Sequence, residues 1–380
     1  MPEFRFDALL NTLELRGALD ADIEPEGVTF RRLPDWTRRQ IPKELDPVLS
    51  KLSGVRLAFV TDARSLNIKG RATAFVPPFS ERPPVCFQLD FGDGTLSSER
   101  SAGDAVYMDG WDADRFAKEV GEDETWNFSL PAGEKQCELW LPHNAIVLLK
   151  SLSINEGATL QRPPHDTRPL WVHYGSSISH CLEARRPIEI WPAIAARETD
   201  VSLFNLGLAG QCHLDPFVAR TIRDLPADII SIKAGINIVN RDTIRERAFA
   251  PVLHGFLDTI RERQPDTPIS LISPIYCPAI ELHPGPTGRG PDGKLVTISG
   301  QDALRAGSLT LQKIRATMAD FVAGRDDPNL RYFDGLELLG AEDARNLYDD
   351  LHPDAEGYQL MGQRFAAKHL KDVISRPISQ

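Results

Sequence analysis

The chain has 380 residues, 42% hydrophobic and 26% charged, the make-up of an ordinary globular protein and more than one compact core usually holds, so two domains are expected. With 54 acidic against 43 basic residues the formal net charge is −11 and no long basic run occurs, which argues against a nucleic-acid partner. The opening "MPEFRFDALLNTLEL" lacks a basic segment followed by an apolar one, and no stretch approaches the roughly 20 apolar residues of a membrane span; no membrane partner and a cytoplasmic location are expected.

Short alternating runs fill residues 27–154: "GVTFRRLP", "GVRLAFVTD", "SLNIKGRATAF", "VCFQLDFGDG", "DAVYMDG", "TWNFSLPAG" and "CELWLPHNAIVLLKSLSI". Gly, Pro and Asp turns separate them, the pattern of an antiparallel β-sandwich of jelly-roll kind, and no long amphipathic helix fits. The polar, proline-bearing segment 155–169 follows, and the rhythm then becomes strand–helix–strand. Apolar strands "LWVHYG", "VSLFNLGL", "DIISIKAGIN" and "PISLISPI" alternate with helical stretches such as 242–264 and 301–324. That alternation predicts an α/β domain, a parallel sheet covered on both faces. The expected domains are 1–160, a β-sandwich, and 165–380, the α/β part, with the boundary near Pro164. The proline- and glycine-rich stretch "CPAIELHPGPTGRGPDGKLVTISG" (277–300) is too long for a routine connection and reads as a flap over the strand ends. Cys86, Cys137, Cys181, Cys212 and Cys277 have no CxxC spacing and read as small buried hydrophobes in a reducing compartment.

In an open parallel sheet, ligands bind outside the carboxyl ends of the strands. The first of these strands ends in Gly175-Ser176-Ser177, the second in "NLGLAG" with Asn205, Gly207 and Gly210, and the third in "AGIN" with Gly235 and Asn237. Before the last helix, "LYDDLHPDAEGY" sets Asp349 three residues ahead of His352. A serine, a histidine with a nearby carboxylate, a flexible glycine and an asparagine are the parts for acyl transfer. Each has a bland counterpart: a helix-entry turn at Gly207, a helix cap at Asn237, a surface loop at Asp349–His352.

The ordered blocks "YGSSIS", "NLGLAG", "GIN" and "DDLHPDAEGY" resemble those of the GDSL, or SGNH, family of serine esterases and lipases, over roughly residues 170–370. The resemblance implies a three-layer α/β/α fold and places the family's nucleophile on Ser177, its second-block glycine on Gly207, its third-block asparagine on Asn237, and its histidine and aspartate on His352 and Asp349. Two positions depart from the family pattern: Ser176 stands where an Asp usually precedes the nucleophile, and Ile238 follows "GIN" where an Asp is usual. A sandwich ahead of the α/β domain looks like the arrangement in a bacterial subgroup that includes carbohydrate esterases and a natural-product acyltransferase.

In that chemistry His352 takes the serine proton, Asp349 holds the imidazole tautomer, and the oxyanion is met by the N–H groups of Ser177 and Gly207 and the side-chain amide of Asn237. Ser176 and Ser179 are rival nucleophiles and Asp350 a rival carboxylate. The α/β-hydrolase elbow G-x-S-x-G is a runner-up fold, but Ser179 stands where its second glycine belongs. His173, His180, His213 and His254 lack the spacing of a metal site and read as surface or packing residues; no metal or cofactor is expected. The leading expectation is a serine ester hydrolase acting on a small or medium ester, within which an acylated sugar or metabolite falls. The alternatives are an acyltransferase to a metabolite hydroxyl and a non-catalytic glycan-binding protein.

Overall fold

The structure, a computed structural model, describes residues 2–76, 81–108, 116–298 and 305–375. It divides into two compact units, Met1–Thr167 with Arg185–Ile188, and Arg168–Ala184 with Glu189–Gln380.

The first unit is all-β in character. Its strands are β1 (Glu3–Arg5), β2 (Glu14–Arg16), β3 (Asp20–Glu24), β4 (Gly27–Arg31), β5 (Arg56–Thr61), β6 (Ser65–Val76) and β7 (Val85–Asp90). They continue with β8 (Thr95–Arg100), β9 (Asp104–Met108), β10 (Phe116–Glu119), β11 (Glu124–Ser129), β12 (Lys135–Trp140), β13 (Ala145–Ile154) and β14 (Leu160–Gln161), and a short helix α1 (Asp46–Leu49) precedes β5. One sheet runs β10-β9-β6-β13-β4-β3 with β1 on β13 and β11 on β6; the other runs β14-β5-β12-β7-β8 with β2 on β5. Pairing is antiparallel except between β6 and β9. Alternation makes the core: along β11, Glu124, Trp126 and Phe128 are buried and the residues between them exposed. Trp126 packs its ring 4.7 Å from that of Phe87 and donates Nε1–H to the Val85 carbonyl at 3.1 Å. The "DAVYMDG" run becomes β9, its last two residues lying outside the described ones.

The second unit is built on a parallel sheet of β15 (Leu170–Gly175), β16 (Ser202–Gly207), β17 (Ile229–Lys233), β18 (Ile269–Ile272) and β21 (Leu330–Phe333), in the order β16-β15-β17-β18-β21. Its helices include α2 (Ser177–His180), α3 (Trp191–Glu198), α4 (Pro216–Asp224), α5 (Ile236–Arg241), α6 (Glu246–Arg261), α7 (Leu311–Gly324) and α8 (Ala355–Phe365). Side chains of β15 alternate between faces: Trp171 stacks 5.3 Å from Phe365 of α8, while Tyr174 stacks 5.4 Å from Phe256 of α6. Helices therefore cover both faces, the three-layer α/β/α arrangement.

One helix begins later than the sequence suggests, and a second expected stretch is interrupted, residue 305 being helical ahead of a turn at 306–307. Asp242, at φ 49°, ends α5 in the left-handed region, so α6 starts at Glu246 rather than at residue 242. Likewise Gly307 sits at φ 79° and the Thr310 side chain accepts from the Lys313 N–H at 3.2 Å, which starts α7 at Leu311; residues 301–304 of the expected helix lie outside the described ones. The 277–300 stretch contains a hairpin, β19 (Thr287–Arg289) with β20 (Leu295–Thr297), and its residues 299 and 300 also lie outside.

Gly235 precedes α5 at φ 120°, and a Cβ there would meet Ile314 Cγ2 at 2.7 Å and Pro274 Cγ at 2.8 Å. Both the dihedral and the space demand glycine. Gly235→Ala is expected to cost on the order of 1–3 kcal/mol of unfolding free energy, read by denaturant titration. An unchanged midpoint would show that the turn into α5 relaxes freely.

Candidate active site

The turn after β15 spends its serines on different tasks. Ser176 caps α2, its Oγ accepting the Ile178 N–H at 3.3 Å, so a hydroxyl makes the turn bond at the position where an Asp is usual. Ser179 is buried with Oγ 2.7 Å from Nε2 of His173, whose Nδ1 lies 2.7 Å from Ser231 Oγ. Burial holds His173 well below the ordinary imidazole range, with Lys233 acting the same way, so it stays neutral. Ser177 is the serine that meets a base: its Oγ is 2.9 Å from Nε2 of His352. As the first residue of α2 its own N–H has no helical acceptor, and the helix N-terminus favours negative charge beside it.

His352 is held from behind by Asp349, whose Oδ2 accepts Nδ1–H at 2.9 Å while Oδ1 accepts the N–H groups of Leu351 at 3.1 Å and His352 at 2.7 Å. With Nδ1 carrying the proton, Nε2 is left as the acceptor facing Ser177. Asp350 is turned away at φ 62° and pairs with Lys294 at 3.0 Å. A second carboxylate, Glu183, stands 3.9 Å from Nδ1 of His352 and accepts the Tyr358 hydroxyl at 2.7 Å. The Tyr348 ring stacks on the imidazole at 6.2 Å, its outer face open to solvent. Burial disfavours the imidazolium, but Glu183 and Asp349 outweigh it and raise His352 above its ordinary value. Burial would likewise raise Asp349; the hydrogen bonds from His352 and Arg289 overcome that and hold it well below the carboxylate range.

Asn237 lies on the first turn of α5, just past the end of β17, the strand beside β15. Its Oδ1 accepts the Cys212 N–H at 3.1 Å, which fixes the amide orientation and leaves the NH2 group for another acceptor. Gly207 departs from its expected part. Its N–H donates to Oδ1 of Asn205 at 3.0 Å inside the strand end and is therefore committed, not available to an oxyanion. Glycine is needed there for space: a Cβ would strike the backbone of Ser179 and His180, and the Asn205 amide donates to the Ser179 carbonyl at 2.9 Å across the same contact. Gly210, three residues on at φ 71°, accepts from Nε2 of His213 at 3.2 Å through its carbonyl, and its N–H has no partner among the described residues.

The other histidines are scattered. His180 is buried, His213 bonds Gly210 and Thr243, and His254 accepts from Arg325 at 3.1 Å. The roles of Asn205, Glu183 and Arg289 were not read from the sequence. Asn205 alone had a signal, opening the "NLGLAG" block; Glu183 and Arg289 reach the site only through folding.

A strand-end serine hydrogen-bonded to a buried histidine–aspartate pair, on a three-layer α/β/α fold, is an arrangement whose chemistry suits nucleophilic acyl transfer. Residues 168–283 match the model of the GDSL-like Lipase/Acylhydrolase family. Among solved structures, salicylyl-acyltransferase SsfX3 from a tetracycline biosynthetic pathway is 27% identical, with a TM-score of 0.80 over 100% of this chain and 99% of that one. A protein described as a GDSL-like lipase from Bacteroides ovatus is 17% identical with a TM-score of 0.70, covering 100% and 99%. A family two carbohydrate esterase from Cellvibrio japonicus is 13% identical with a TM-score of 0.56, covering 98% and 98%. No curated protein sequence matches the chain.

Because two carboxylates face the imidazole, Asp349→Asn is expected to lower the titration midpoint of His352, followed by its ring-proton NMR signals in the full-length protein. The sign follows from charge: each carboxylate stabilises the imidazolium, so losing one makes the proton leave at lower pH. An unmoved or rising midpoint would contradict the assigned pairing.

Proposed function

We propose that the protein is a serine ester hydrolase working through an acyl-enzyme, with Ser177 as nucleophile, His352 as general base and Asp349 as its orienting carboxylate. The observation that carries this reading is the continuous row from Ser177 Oγ through both ring nitrogens of His352 to Asp349 Oδ2, two contacts of 2.9 Å each. Ser177 Oγ attacks the ester carbonyl as its proton passes to Nε2. The proton is then given to the leaving alcohol, and water repeats the sequence to free the acid. The N–H of Ser177, the N–H of Gly210 and the side-chain amide of Asn237 are the donors for the oxyanion. The substrate in this reading is a small or medium ester. All five cysteines are free and buried, which suits a cytoplasmic location, and among the described residues no helix is long and apolar enough to cross a membrane.

Likeness in sequence as well as fold to a salicylyl-acyltransferase favours a second reading, in which a metabolite hydroxyl rather than water takes the acyl group. The carbohydrate esterases resemble the chain in fold alone and support no sugar specificity. Product partition decides between hydrolysis and transfer: with a p-nitrophenyl ester, rising acceptor alcohol should leave free acid the main product of a hydrolase, whereas a dominant new ester identifies a transferase.

Ser177→Ala is expected to abolish both turnover and labelling by a fluorophosphonate; labelling that persists on Ser176 or Ser179 would move the nucleophile. Asn237→Ala should lower kcat about 10²–10³-fold with little change in KM, since the oxyanion exists only near the transition state. A folded Asn237→Ala enzyme with near-normal kcat would leave this amide a role in packing only.

A further inference from the structure

The β19–β20 hairpin is fastened to the loop that carries the histidine and aspartate. Arg289, the last residue of β19, donates Nη2–H to Asp349 Oδ2 at 2.7 Å. The Leu295 N–H reaches the Asp349 carbonyl at 3.4 Å, and Lys294 pairs with Asp350 at 3.0 Å. Arg289 is itself steadied, its Nη1 donating to the Gly293 carbonyl at 2.9 Å.

Ordinary serine–histidine–aspartate chemistry needs one carboxylate behind the imidazole. Here there are two, Asp349 at 2.9 Å and Glu183 at 3.9 Å from Nδ1. Two negative charges around a buried imidazole favour imidazolium, which cannot accept the serine proton. Among the described residues, the remaining groups facing His352 are the Ser177 hydroxyl and the Tyr348 ring; Tyr358 acts on Glu183, and Asp350 pairs with Lys294. Among the described residues, the opposing charge is one guanidinium, that of Arg289, on the oxygen of Asp349 that His352 also uses.

We propose that Arg289 is a positioning residue that anchors Asp349 and offsets the second carboxylate, Glu183, so that His352 holds its proton less tightly than two carboxylates alone would make it and the hairpin's seating becomes a condition of activity. This rests on the reading of Ser177, His352 and Asp349 above. Arg289 acts on His352 in the required direction, lowering its affinity for a proton against the pull of Glu183 and Asp349.

The test uses full-length protein and the second-order rate of fluorophosphonate inactivation as a function of pH. Arg289→Met should move the acid limb upward by about one pH unit, the size expected for losing one nearby charge. Arg289→Lys should keep the limb near its original place. Glu183→Gln should move it down, and the double variant Arg289→Met/Glu183→Gln should return it close to the wild type. An Arg289→Met limb at the wild-type pH, with the rate lowered equally throughout, overturns the proposal and leaves Arg289 a structural tie. Should Arg289→Met not fold, a Glu183→Gln limb that fails to fall overturns it instead. A wild-type protein that no fluorophosphonate labels at any pH removes the reading of Ser177 itself, an outcome distinct from labelling with an unmoved limb.

Discussion

The carboxylate of Asp349 organises the site, because both of its oxygens are filled twice. Oδ1 takes the N–H groups of Leu351 and His352, and Oδ2 takes the imidazole Nδ1–H and the Arg289 guanidinium. The first pair folds the loop back on itself, as an Asx turn does, and so decides where the imidazole can stand. The second pair decides its tautomer and ties in a hairpin some 60 residues earlier in the chain. A buried carboxylate is costly unless each lone pair is met, and here four donors meet it. Loop shape, ring orientation and hairpin position are thus three consequences of one buried charge.

The crowding of hydroxyls after β15 has a similar origin. A parallel strand that turns at once into a helix leaves N–H groups without acceptors and side chains without room. Gly175 and Gly207 lie side by side in register at the ends of β15 and β16, and a Cβ on either would strike Ser179 or its neighbours. That close approach lets the Asn205 carboxamide bridge strand and helix with both of its ends. Ser176 and Ser179 are consumed in holding this turn, which presents Ser177 alone to His352. The glycines and two of the three serines are therefore scaffolding for the third.

The electrostatics follow from burial. Away from water, His352 responds to each neighbouring charge more strongly than an exposed histidine would, and two carboxylates and one guanidinium surround it. Tyr358 hydrogen-bonds the farther carboxylate, Glu183, keeping it close without direct contact with the ring.

By itself the sequence determined the fold class. Period-two alternation in residues 27–154 and apolar runs separated by helical stretches after residue 169 are local signals, and local signals survive in one dimension. It also brought Asp349 and His352 together, because a separation of three residues in one turn leaves little choice. The tertiary structure decided what depends on partners distant in the chain. Gly207 and Gly210 look alike in "NLGLAG", and only the bond from Gly207 to Asn205 shows which N–H is already spent. Arg289 sits in a proline-rich stretch and Glu183 in an ordinary polar turn; neither has a pattern, since what matters is proximity created by hydrogen bonds spanning tens to hundreds of residues. The helix starts at Glu246 and Leu311 belong with these: left-handed residues at 242 and 307 overrule a continuous apolar period, and backbone dihedrals of that kind are set by the fold around them.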